Sequence, residues 1–105
     1  MESYVSVAKV EHFREGKIRR YFVDGTEIGV VSWGGRFYAF GNRCPHRDFE
    51  LHFGYVEGDC VHCPIHYANF DLASGRAMGG PPDIGDLPVY RTRVEGDDVQ
   101  VSLTG

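Results

Sequence analysis

Two short motifs in this 105-residue chain carry metal-ligand chemistry: Cys44-Pro45-His46 and Cys63-Pro64-Ile65-His66, separated by residues 47–62. Thiolate sulfur and imidazole nitrogen both bind transition metals, and paired Cys-x-His and Cys-x-x-His spacing in two proline-containing loops is not the scatter of core or surface residues. Each iron of a two-iron, two-sulfide cluster is tetrahedral and takes two bridging sulfides, so the protein must supply two more ligands per iron. Two cysteines can serve one iron and two histidines the other. Neutral imidazoles leave more positive charge on their iron than thiolates do, so that iron accepts the electron and the site carries one electron at a time. A tetrahedral Cys2His2 zinc site uses the same residue types and would make the chain a structural or interaction module. Cys60-Val61-His62-Cys63 contains the Cys-x-x-Cys that suits zinc, yet no second such pair is present.

The chain that positions these loops fits one domain spanning residues 1–105, long enough for one modest core and too short for a separate catalytic domain. Apolar residues make up 42% and charged residues 25%; fourteen glycines and five prolines point to many turns and a β-rich protein. The formal charge of -4 argues against a nucleic-acid surface and favours a basic protein partner. No signal-peptide pattern and no apolar run of membrane-spanning length is present, so a cytoplasmic protein without a membrane partner is expected. Three cysteines form no disulfide framework. If Cys44 and Cys63 hold metal, Cys60 is left alone, which fits a reducing compartment.

Alternating apolar residues predict strands over 5–10, 18–23, 26–33 and 36–40, joined at Asp24-Gly25 and Gly34-Gly35. Residues 41–48 read as a loop. A strand over 54–61, with a turn at Glu57-Gly58-Asp59, should deliver Cys63 to the second loop, so that the two loops top neighbouring strands. Residues 67–72 form a further strand, Ser74-Gly75 a hairpin turn, and Gly79-Gly80-Pro81-Pro82 ends any strand. A closing hairpin runs over 89–94 and 99–103, about Gly96-Asp97-Asp98. Trp33, Phe37, Tyr38 and Phe40 are expected in the core.

Cys44-Pro45-His46, Cys63-Pro64-Ile65-His66, Phe70-Asp71, Ser74-Gly75 and Pro81-Pro82 together resemble the Rieske ferredoxin family over nearly the whole chain, about residues 5–103. The resemblance implies an all-β fold: a small antiparallel β-sandwich with a Rieske cluster-binding subdomain, its loops around 44–49 and 63–68. It implies one [2Fe-2S] cluster with Cys44 and Cys63 on the inner iron and His46 and His66 on the outer one. Members pass electrons from a flavoprotein NAD(P)H reductase to a terminal aromatic-ring oxygenase, binding each transiently. The chain shows neither a dinucleotide-binding glycine fingerprint nor ligands for a mononuclear iron, so it is expected to be the carrier, not an enzyme. A Rieske subunit fixed to a nitrite reductase is the alternative within the family.

Departures from the pattern bear on potential. Where high-potential relatives carry two cysteines linking the loops, this chain has Phe49 and Ile65, so no inter-loop disulfide can form. Where they place a serine and a tyrosine that donate to cluster sulfur, it has Ala68 and Phe70, which predicts the low end of the Rieske range, about -150 mV. Tyr67 stands where many relatives have glycine and is expected to pack as an aromatic, the alternative being a role at the partner surface; Pro81-Pro82 matches a loop that shields the cluster. Cys60 is expected to be a small buried residue, and His12, His52 and His62 solvated or locally bonded.

Overall fold

Hairpin turns organise the chain. In the computed structural model, which describes residues 3–45, 48–65, 67–81 and 83–104, Asp24 and Gly25 both adopt positive φ, as do Gly34 and Gly35. This is the geometry of two-residue turns whose twist matches that of paired strands. They join β2 (Arg19–Val23) to β3 (Thr26–Trp33) and β3 to β4 (Arg36–Gly41). β9 (Val89–Glu95) and β10 (Asp98–Ser102) close a third hairpin, and β1 (Val5–Lys9) pairs with β10. The result is a six-stranded sheet in the order β1-β10-β9-β4-β3-β2. Its outer strands β1 and β2 approach each other, so it nearly closes into a barrel.

The second sheet has four short strands: β5 (Tyr55–Glu57), β6 (Cys60–His62), β7 (Asn69–Asp71) and β8 (Ala77–Gly79), paired in chain order. Every strand pairing in both sheets is antiparallel. The expected all-β, two-sheet architecture is therefore present. The segment over 54–61, expected as a strand with a turn at Glu57-Gly58-Asp59, is a hairpin of two short strands that folds at Gly58 and Asp59, both at positive φ. The strand expected over 67–72 is confined to Asn69–Asp71, and that over 5–10 stops at Lys9, where a 3-10 turn, Val10–His12, begins. The loops do not top neighbouring strands of one sheet: residues 42–49 follow β4 of the large sheet, residues 63–68 follow β6 of the small one.

Side-chain alternation along β3 and β4 builds two cores. Ile28, Val30 and Ala39 pack with Val23, Val99 and Val101 inside the large sheet. Val31 and Phe40 face the other way and pack with Leu51, Val61, Phe70 and Leu72 of the segment that carries the small sheet. Trp33 and Tyr38 flank this second core, Phe37 the first. Trp33 Nε1 also donates to Asp59 Oδ1 (2.8 Å), and Leu72 N–H to Asp59 O (3.0 Å), which ties the β5–β6 turn to its neighbours.

Candidate metal centre

The two loops close the same way. Cys44 N–H donates to Phe49 O and Cys63 N–H to Ala68 O, each at 2.8 Å, so both span five residues from cysteine to acceptor. In each, the fourth residue after the cysteine turns left-handed: Asp48 at φ 56° and Tyr67 at φ 56°. His46 and His66, expected from the sequence as the nitrogen ligands, lie outside the described residues.

Cys44 and Cys63 are 2% and 4% exposed and belong to the core that includes Ala68 and Phe70. Both are free thiols within hydrogen-bonding reach of one another. Burial pushes the Cys63 thiol up, the Ile65 N–H aimed at its sulfur works against that, and the neighbouring Cys44 pushes it up further. Two thiols held together in an apolar pocket, with a backbone donor on one sulfur, are suited to a metal that displaces their protons. The donor set fits one iron of a sulfide-bridged pair. Ala68 and Phe70, both fully buried, bring no hydroxyl that could donate to cluster sulfur and raise the potential.

A polar network holds the first loop from behind. Asn42 is fully buried next to Arg43. Its Nδ2 donates to Glu27 Oε2 (2.7 Å) and faces His52 Nδ1 (2.8 Å), while its Oδ1 accepts from His52 N–H (2.9 Å). With the carbonyl so used, His52 Nδ1 is an acceptor and the ring proton sits on Nε2. Arg43 pairs with Glu27 (3.0 Å), Arg20 with Glu50 (2.9 Å), and Arg43 also reaches Glu50 (3.6 Å). Burial raises the Glu27 carboxyl, but Asn42 and Arg43 outweigh it, so the group ends below its ordinary value. Glu27, Glu50 and His52 bring ligand atoms within 4.8 Å of each other, yet two arginines and an amide already satisfy them. They brace the loop and are not the metal site. Sequence reading missed Asn42 because a lone asparagine after a strand looks like any turn residue.

The remaining candidates fall into place. Cys60 is half-buried on β6, its thiol pushed up by burial and by Asp71 and Asp59. His62 stacks on Tyr55 (centroids 4.7 Å apart, planes at 1°) and its Nε2 lies 3.1 Å from Glu57 O; Lys9 N–H donates to His12 Nδ1 (3.2 Å). Gly80 passes over the second loop: a Cβ there would sit 2.8 Å from Ala68 Cα, which brings the glycine-proline segment against that loop. Tyr67 overturns the expectation that it packs, being 92% exposed.

The Rieske [2Fe-2S] domain model matches residues 3–91. The chain belongs to the Rieske [2Fe-2S] family. Its cofactor is accordingly a single Rieske-type [2Fe-2S] cluster. This Rieske chain is 40% identical over 85 residues to the ferredoxin component of biphenyl 2,3-dioxygenase from Rhodococcus jostii (strain RHA1), covering 80% of this chain and 78% of the relative. Among solved structures it is similar to the ferredoxin of carbazole 1,9a-dioxygenase from Nocardioides aromaticivorans IC177, with TM-score 0.86, 29% identity and coverage of 94% and 96%. It shares its fold, at TM-score 0.90 and 22% identity over 100% of this chain and 98% of the other, with a putative nitrite reductase small subunit from Mycobacterium tuberculosis. No helix among the described residues is long and apolar enough to cross a membrane.

Proposed function

We propose that this chain is a one-electron carrier that takes electrons from a flavoprotein NAD(P)H reductase and delivers them to a terminal aromatic-ring oxygenase, working in the cytoplasm. Cys44 and Cys63 hold one iron and His46 and His66 the other. The cluster supplies a single-electron couple when bound. The protein's own residues do the rest. The two five-residue loop closures fix the cysteines, the Asn42 network braces the first loop, and the apolar packing of Ala68, Phe70 and Leu51 keeps water from the sulfurs. The observation that carries this reading is the pair of buried, mutually facing free thiols in a chain of the Rieske family.

Purified protein should be red-brown, with two irons and two acid-labile sulfides per chain, and should give a paramagnetic signal from a mixed-valence iron pair on anaerobic reduction. A colourless protein with one zinc per chain sinks the proposal and returns the Cys2His2 module. Similarity of fold to a nitrite reductase subunit also poses a fixed-subunit alternative. Gel filtration of the native extract separates the two, since a shuttle elutes mostly free and a subunit with its large partner.

A further inference from the structure

Among the described residues, five that are not glycine lie at positive φ. Four are aspartates, whose short side chains tolerate the left-handed region, and the fifth is Tyr67. The loop itself demands this conformation, because the equivalent place in the first loop, Asp48, adopts the same φ. Glycine would meet the demand without strain, and an aspartate or asparagine more cheaply than a tyrosine. Yet the Tyr67 ring is not packed into the fold: 92% of the residue faces solvent. Backbone strain with no packing of the ring in return points to a contact made outside the molecule.

The surroundings of Tyr67 say what kind of contact. Gly80 lies against the next residue, Ala68, and from the same subdomain Phe53 (62%) and Met78 (61%) are also exposed. Charge is divided unevenly along the chain. Residues 48–87 carry seven carboxylates and one cation, Arg76, whereas the rest carries eight carboxylates and ten cations. Of these seven carboxylates, Asp48 belongs to the first loop and Asp83 to the segment that follows Gly80 and Pro81, and both are exposed. Exposed apolar side chains on an acidic segment match a partner with an apolar recess flanked by lysine or arginine.

Resting on the electron-carrier reading, we propose that Tyr67 is the anchor by which this chain docks its terminal oxygenase, inserted into an apolar recess with a basic flank. Its left-handed backbone aims the ring outward from the residue next to His66, so the anchor and the electron's exit share one loop. The tyrosine is a specificity determinant rather than a structural residue.

Transfer from the dithionite-reduced, cluster-loaded protein to the oxygenases of the biphenyl, naphthalene and carbazole systems tests this by stopped flow. Alanine keeps the strain and removes the ring; glycine removes both; phenylalanine keeps the ring. Tyr67→Ala and Tyr67→Gly should each slow second-order transfer about tenfold, with cluster absorption and potential unchanged, while Tyr67→Phe stays near wild type. Tyr67→Gly should melt no lower than wild type, its Tm unchanged or raised by about 4 °C, which a packing role for the ring forbids. Transfer should also slow between about 20 and 200 mM salt. Alanine and glycine variants as fast as wild type overturn the anchor and leave the carrier reading standing. Salt-independent transfer overturns the basic flank. A reducible wild type that transfers to none of the three oxygenases overturns the carrier reading, and the anchor with it.

Discussion

Single residues decide two things here: which atoms bind metal and how steadily they are held. On the proposed ligation, replacing His66 with cysteine makes the ligation of its iron more negative and should lower the reduction potential if the cluster survives. Voltammetry showing an unchanged or higher potential would contradict its assignment as a ligand. Asn42→Ala strips partners from the His52 N–H, from His52 Nδ1 and from Glu27, all around a fully buried position. A loss of about 1–3 kcal/mol in urea denaturation is expected. The proposed ligand motifs stand out in the sequence because metal chemistry restricts both residue type and spacing. Asn42 does not, because its role exists only once β3, the first loop and the Leu51–Phe53 turn meet. Tyr67 was misread for a related reason: sequence shows an aromatic, and only the loop's backbone shows that it points away from any core.

At the scale of elements, legibility followed turn chemistry. The Asp24-Gly25 and Gly34-Gly35 hairpins and the β9–β10 hairpin stood out, since glycine at positive φ between alternating strands has few other uses. The small sheet was harder. Its strands have three residues each, too few to show a period, and β8 was legible only through the punctuation around it, the Ser74-Gly75 turn before and the glycine-proline run after. The β7–β8 turn is held by Asp71, whose carboxylate accepts from the Ser74 hydroxyl (2.8 Å) and Ser74 N–H (2.9 Å). These bonds, the hydroxyl's foremost, hold the Asp71 carboxyl below its ordinary value. A depressed carboxyl stabilises the fold fully above the unfolded-state pKa, about 3.9, and loses that contribution as pH falls through the folded-state value. Asp71→Asn should therefore flatten the fall in stability below about pH 4; an acid limb as steep as wild type would remove Asp71 from that role.

For the whole molecule, β3 and β4 contribute to both cores, so we propose that the chain is one domain despite its two sheets. The cores differ in what they owe to the cluster. Cys44 and Cys63 are members of the core over the small sheet, whereas among the described residues no member of either cysteine loop belongs to the core inside the large sheet. Binding free energy of a metal whose ligands sit within a core is also folding free energy of that core. Removing iron should thus leave β1, β9 and β10 packed on Val99 and Val101 while β5 to β8 lose much of their protection. Hydrogen exchange of the loaded and iron-free protein checks this: amides of residues 55–79 should exchange at least about tenfold faster without iron, and those of residues 98–102 should change little. Equal acceleration in both segments would mean that the two cores open together. The electron-bearing end would then be no more dependent on its cofactor than the barrel that supports it.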